Sequence, residues 1–169
     1  PKSSTRFQFA RDNDHLYVAV EADAPAGNEE WHLDLPPGSR DGYVWNNESC
    51  ELFLVQGKKK YHFLFGPKDI LMDYVQPDLD NELHLDEAAK WNCPGLVYKS
   101  KTESPTQWTA ELAIPLKSLD LATPTKTAPW RVNCCRNFYH RRKGGKWQHE
   151  LTGWRPTFGS FHNVDRFGE

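Results

Sequence analysis

The residues of this chain best suited to ligand chemistry lie in the stretch 44–54, where a tryptophan and a short polar turn precede a strand-like run. Within that run the side chains alternate, so Glu51 and Phe53 share one face while Cys50 and its apolar neighbours share the other. Trp45 precedes the strand, where loops gather and ligands usually meet sheets. An aromatic ring packs on the C–H face of a sugar, and a carboxylate accepts hydrogen bonds from hydroxyls. The stretch indicates one wall of a sugar site; a core tryptophan at a strand start is the alternative.

Catalysis is not favoured by the spacing of the acidic and imidazole groups. A glycosidase needs two opposed carboxylates, but Glu48 and Glu51 are three residues apart and fall on opposite faces of a strand. His140, His149 and His162 could meet at a metal, yet no H-x-H or H-x-x-x-H spacing occurs, and surface histidines are expected instead. We therefore expect a protein that is not an enzyme.

Length and charge exclude several other classes. The 169 residues suffice for a single domain, 1–169, with its own core. The formal net charge of −2 gives no reason to expect nucleic acid or an anionic membrane as partner. No apolar run approaches the length of a membrane span, so no membrane insertion is expected. The sequence shows no leader peptide and opens at Pro1, as an excised domain or mature product would.

Short runs of alternating apolar and polar residues, separated by turn formers, predict a series of strands. Leu16–Asp23 is the clearest, because every second residue from Leu16 onward is apolar. Further strands are predicted at 6–10, 49–54, 61–65, 70–75, 96–102, 108–114 and 130–137. With almost no helical periodicity, this pattern predicts an all-β protein, an antiparallel β-sandwich. Trp130 and Trp154 are expected in its core.

The four cysteines form no C-x-x-C pair, so zinc or redox chemistry is not indicated. Cys50 and Cys134 each sit within an apolar strand pattern, which is typical of buried free thiols. A Cys50–Cys134 disulfide is the alternative if the two strands are neighbours.

Two segments resemble motifs of carbohydrate-binding module family 9. Residues 45–53, W-N-N-E-S-C-E-L-F, are similar to the family's W-x-x-D-S-V-E-hydrophobic-F motif, and residues 160–168 resemble its closing segment. Strands at 16–20 and 108–116 are similar to the family's in type and order. The resemblance spans nearly the whole chain, although the family's usual first strands are shortened or absent.

This resemblance implies a jelly-roll or immunoglobulin-like β-sandwich that binds glycans, often at chain ends, between two aromatic side chains. The family's aromatic pair falls on Trp45 and Phe161, and its sugar-binding glutamate falls on Glu51. We further expect polar contacts from His62 on the next strand, from His162 in the closing segment, and from Arg136 on the adjoining strand. A family Arg and Asn expected on this face are not evident.

No cofactor is required for such a role, although structural calcium occurs in the family and Asp23 is a candidate ligand. The resemblance implies a secreted, periplasmic or cell-surface accessory domain that is a monomer or tethered to a catalytic domain. Two alternatives stay open. One is an electron-transfer sandwich with haem b, for which Met72 is the sole methionine available as ligand. The other is a purely structural domain in which all aromatic side chains are buried.

Overall fold

Two antiparallel sheets make up the computed structural model, which describes residues 3–141 and 145–168. The nine strands are β1 (Ser4–Arg11), β2 (His15–Asp23), β3 (Ser49–Gln56), β4 (Lys59–Gly66), β5 (Ile70–Gln76), β6 (Val97–Ser104), β7 (Gln107–Pro115), β8 (Arg131–His140) and β9 (Gln148–Gly153). A single α-helical turn, α1, covers Leu85–Ala88. The four-stranded sheet has the order β1-β2-β7-β6, and the five-stranded sheet has the order β5-β4-β3-β8-β9. The predicted antiparallel β-sandwich is confirmed.

The main core lies between the two sheets, where the apolar side of each strand pattern is buried. Strands β2 and β7 alternate buried and more exposed residues along their length, as expected for a sheet with one solvated face. The inward side chains form one continuous cluster with those of the opposite sheet; it includes Val18, Val20, Leu52, Leu54, Phe63, Phe65, Trp108, Leu112, Ile114, Cys134 and Phe138.

The five-stranded sheet differs, because three of its neighbouring strands are buried on both faces. Nearly every residue of β3, β4 and β5 is buried. Two smaller apolar clusters cover the outer face, one around Leu64, Met72 and Tyr74 and the other around Phe53 and Phe167. The outer face therefore carries packed loops and the C-terminal segment rather than water.

The C-terminal segment is fixed to the sheet by main-chain pairing. Gly168 forms an isolated antiparallel bridge with Val132 of β8, with N–O distances of 2.7 and 2.9 Å. Phe167, one residue earlier, is buried against Phe53. A Cβ atom on Gly168 would meet the Trp154 ring at 2.7 Å, so a larger residue there would have to displace this ring.

Two local expectations were wrong. Trp154 is 59% exposed rather than part of the core, because it lies on the outside of the Gly168 bridge. Strand β9 was not predicted, since all six of its residues are exposed and it lacks the alternation that signals a half-buried strand.

All four cysteines are free and buried, which includes Cys50 and Cys134, the two for which buried thiols were expected. Cys50 and Cys134 lie on the neighbouring strands β3 and β8, but Cys50 is opposite Arg136 and Cys134 is opposite Leu52. Within the described ranges, no helix combines the length and apolarity needed to cross a membrane.

Candidate functional site

The outer face of the five-stranded sheet brings together most of the residues expected to bind a ligand. Strand pairing places Glu51 opposite Leu64, and Phe53 opposite His62, which is itself opposite Tyr74. Glu51 and His62 therefore lie in the middle of the sheet, between the two outer apolar clusters. The predicted alternation of β3, with Glu51 and Phe53 on one face, is confirmed.

A buried hydrogen-bond network joins four polar side chains on this face. Glu51 Oε2 is 2.7 Å from His62 Nε2, and Glu51 Oε1 accepts from the Asn137 amide at 2.6 Å. His62 Nδ1 is 2.6 Å from the Tyr74 hydroxyl. The Phe53 ring stacks on His62 with centroids 3.9 Å apart. Every polar atom of Glu51 and His62 thus has a partner, as buried polar groups require.

The C-terminal segment closes over this network. His162 is exposed as a residue, but its ring faces inward, with its centroid 5.3 Å from that of His62 and 5.4 Å from that of Phe53. Its Nδ1 lies 3.2 Å from Nζ of the buried Lys60. The half-buried Phe161 packs against the Phe53 cluster. Glu51 and His62, from which sugar contacts were expected, are only 4% and 1% exposed beneath this segment.

Burial and hydrogen bonding set the charge states of this network. Burial alone would raise the pKa of Glu51, but hydrogen bonds from His62 and Asn137 outweigh it and hold the pKa below its ordinary value. Burial lowers the pKa of His62, against the opposing effect of Glu51. Burial, with smaller effects of His62 and Lys60, lowers the pKa of His162 to about 4. At neutral pH the network holds one carboxylate and two neutral imidazoles.

Trp45 lies at the other side of the same face. It belongs to the 3₁₀ turn Val44–Asn46 and is half-buried against the cluster that includes Leu64, Met72 and Tyr74. Its ring lies 5.2 Å from that of the exposed Tyr43. Trp45 thus packs against one outer cluster and Phe161 against the other, and neither side chain is fully buried.

Arg136 does not belong to this face. It shares the inner side of β8 with Cys134 and is 1% exposed. Its Nε donates to Glu48 Oε1 at 2.7 Å, and its Nη1 donates to the Asp23 carbonyl at 2.8 Å. The expected sugar contact from Arg136 is corrected accordingly: the residue forms a buried ion pair between the sheets. Glu48 faces inward and Glu51 outward, so the two carboxylates lie on opposite faces, as their spacing predicted.

Asp23, the candidate calcium ligand, is hydrogen-bonded to its neighbours at the end of β2. Its Oδ2 accepts from the Ser4 hydroxyl at 2.7 Å and its Oδ1 accepts from Gln107 at 3.1 Å, while its carbonyl accepts from Arg136. Calcium takes six to eight oxygen ligands, and calcium binding by Asp23 stays a prediction.

Met72 fills the apolar cluster on the outer face and is 2% exposed. This is the core-filling role of an unbranched, flexible side chain. The residues that sequence reasoning missed on this face are Tyr74, Asn137 and Lys60. Alternation along and across the strands was the available signal. Tyr74 is directly opposite His62, and Lys60 lies two residues before His62 on β4. Asn137 is opposite Ser49, which lies two residues before Glu51 on β3.

A second concave surface lies at the open side of the sandwich. It is a cleft of about 660 Å³ between β1 and the β8–β9 side, and its aromatic lining consists of Phe7, Phe9, Trp130 and Trp154. Phe9 is 48% exposed within it. This cleft is the competing location for a ligand.

Comparison with known proteins agrees with the fold and with the sequence motifs. A candidate carbohydrate-binding protein from Bacteroides uniformis is similar in structure, with a TM-score of 0.64 and 14% identity over 99% of this chain and 78% of that one. A carbohydrate-binding module of family 9 from Caldicellulosiruptor kristjanssonii, solved in complex with cellotriose, has a TM-score of 0.55 and 13% identity over 94% of this chain and 69% of that one. At these identities the likeness shows a shared fold. No curated protein matches the sequence. The model of the family described as carbohydrate family 9 binding domain-like matches residues 1–169, and the chain belongs to that family.

Proposed function

We propose that this protein binds a glycan, without catalysing its cleavage, on the outer face of the five-stranded sheet between Trp45 and Phe161. The observation that supports the proposal is that the half-buried Trp45 packs against one outer cluster and the half-buried Phe161 against the other, while the Glu51–His62 network joins residues of the same face. Family membership supports carbohydrate binding in general and a non-catalytic role.

Trp45 and Phe161 supply the apolar surfaces on which a sugar ring stacks. Of the polar side chains, His162 is the one on the solvent side of the network and is the proposed hydrogen-bonding partner of a hydroxyl. Glu51 and His62 lie beneath it and act by supporting its ring. Direct contact of Glu51 or His62 with a sugar requires displacement of the 160–163 segment.

The same proposal extends to the setting of the domain. A binding module of this kind increases the local concentration of a tethered catalytic domain at a polysaccharide. We therefore propose that the chain serves as an accessory domain of a secreted, periplasmic or cell-surface carbohydrate-active protein. The haem alternative is less well supported, because Met72 is enclosed in an apolar cluster.

The test is a glycan array on the parent domain, followed by calorimetry with the best glycan. Trp45→Ala and Phe161→Ala should each weaken binding by about tenfold or more, which corresponds to about 1.4 kcal/mol. Phe9→Ala is the matched control, because this exposed aromatic residue lines the competing cleft. Retained affinity in folded Trp45→Ala, together with lost affinity in Phe9→Ala, would move the site to the cleft.

A further inference from the structure

The Glu51–His62 network has a property that sugar binding does not require. Glu51, His62 and His162 each present one potential metal-ligand atom, and these three atoms all lie within 4.8 Å of one another. Zinc bonds to nitrogen and oxygen are about 2.0–2.2 Å, which places the ligand atoms of a tetrahedral site about 3.3 Å apart. Small side-chain rotations would therefore bring the three atoms to coordinating positions.

We propose that Glu51, His62 and His162 form a binding site for a divalent transition-metal cation, with zinc as the best match to two imidazoles and one carboxylate. The three residues come from β3, β4 and the C-terminal segment. Such a cation would fix that segment to the sheet. The proposal does not depend on glycan binding, since it concerns the protein and the cation alone.

Two of the proposed ligands already have an outer partner on their other polar atom. Asn137 donates to Glu51 Oε1, which leaves Oε2 for the cation. Tyr74 is hydrogen-bonded to His62 Nδ1, which leaves Nε2. Outer partners of this kind orient metal ligands and strengthen binding. We assign His162 Nε2 as the third ligand; this requires the His162 proton to lie on Nδ1 and the Lys60 ammonium, a donor only, to turn away from that atom.

His62 can bind the cation by moving its proton from one ring nitrogen to the other. In the cation-free network Nε2–H donates to Glu51, since a carboxylate can only accept, and Nδ1 accepts from the Tyr74 hydroxyl. On binding, the His62 proton moves from Nε2 to Nδ1, and Tyr74 turns its hydroxyl to accept it. Nε2 then offers a lone pair, so the imidazole stays neutral throughout.

Lys60 provides an opposing charge. Its ammonium, 2% exposed as a residue, lies beside His162 and repels a cation at the site. Replacing this ammonium by an apolar side chain of similar length should therefore tighten cation binding, which a purely structural role of the network would not predict.

The experiment uses the chain without a histidine tag, titrated with Zn²⁺ by calorimetry and with Co²⁺ by visible absorption. We expect one site per chain and the ligand-field bands of four-coordinate Co²⁺. His162→Ala and Glu51→Gln should weaken binding at least tenfold, whereas Lys60→Met should strengthen it several-fold. His15→Ala is the matched control, because His15 lies on the opposite sheet beside Asp12.

Folding and binding are separated by measuring the melting temperature without metal. The His162 ring packs near His62 and Phe53, so the melting temperature of His162→Ala without metal is the reference against which its response to Zn²⁺ is measured. Added Zn²⁺ should raise the melting temperature of the parent and of His15→Ala but not of His162→Ala. No saturable one-to-one binding by the parent, or binding that survives in both His162→Ala and Glu51→Gln, would overturn the proposal.

Discussion

His62 Nε2 donates to Glu51 Oε2 across 2.7 Å, at a point where both side chains are almost inaccessible to water. The pKa values of the two groups shift downward, so the pair consists of a carboxylate and a neutral imidazole. Because His62 Nε2 carries the proton, Nδ1 must accept from Tyr74. The charge of Glu51 thus fixes the position of the His62 proton, which in turn fixes the direction of the Tyr74 hydrogen bond.

Tyr74→Phe tests this order directly. The substitution removes the only donor to His62 Nδ1 among the described hydrogen bonds and leaves a buried acceptor unpaired, which costs about 1–3 kcal/mol of unfolding free energy. The measurement is urea unfolding at neutral pH. Tyr17→Phe is the control; its hydroxyl accepts water freely and bonds the exposed Asp12, so the loss should be within about 0.5 kcal/mol. Equal losses in the two variants would contradict the proposed network.

Arg136→Ala should be among the most destabilising substitutions in the chain. It leaves the carboxylate of Glu48, 0% exposed, without its counter-charge, and the loss of one partner of a buried pair costs about 3–5 kcal/mol. Chemical denaturation of the variant and the parent measures the difference. Arg6→Ala serves for comparison, because Arg6 pairs with Glu21 at the surface and should contribute less than about 1 kcal/mol. A small effect of Arg136→Ala would show that water reaches Glu48.

Asp69 should make the stability of the protein depend on pH in the acid range. Burial opposes ionisation, but hydrogen bonds from Lys99 and Ser100 lower the pKa of Asp69 below its ordinary value of 3.8. A lowered pKa in the folded state gives stability that is present above the unfolded-state pKa and is lost as pH falls through the folded-state pKa. Asp69→Asn should thus destabilise the protein by about 1–2 kcal/mol at pH 7, and this difference should shrink below pH 4.

Asparagine is the suitable replacement because Asp69 has a φ of 60°, in the left-handed region that Asn tolerates. Unfolding free energies of the two proteins, measured at several pH values from 7 down to 3, give the comparison. A difference that stays constant over this range would show that the Asp69 charge is not the stabilising element.

The thiols should be inert in the native protein. All four cysteines are buried, and burial raises their pKa values, to about 12 for Cys93 and Cys134. Ellman's reagent should therefore titrate no thiol rapidly in the folded chain and four in denaturant. Rapid reaction of a native thiol would show that the edge of the core opens, and fewer than four in denaturant would reveal a disulfide.

The sandwich could be predicted because its strands carry their own signal. The alternation in Leu16–Asp23 and around Trp108 depends only on one buried and one solvated face, which a single sequence records. The inward orientation of Arg136 could also have been predicted, since Arg136 alternates in step with Cys134 and Val132 along the strand. Its charge suggested a ligand contact. Glu48, which alternates out of step with Glu51, could have been recognised as its partner on the inner face.

The cover over Glu51 and His62 could not be predicted in the same way. The C-terminal segment has no periodicity, and its position depends on the Gly168–Val132 bridge and on Phe167 packing against Phe53. These contacts join residues more than thirty positions apart in sequence, and no local pattern encodes them. The convergence of His162 with Glu51 and His62 follows from that docking.

The most direct test of glycan binding on the outer face is NMR observation of the tryptophan indole N–H groups during an oligosaccharide titration. The seven tryptophans include Trp45 at the proposed site, with Trp130 and Trp154 in the competing cleft. With cellotriose or the best glycan from the array, the Trp45 indole signal should shift in a saturable manner while those of Trp130 and Trp154 stay in place. Saturable shifts at Trp130 and Trp154 with an unmoved Trp45 signal would contradict the proposed site.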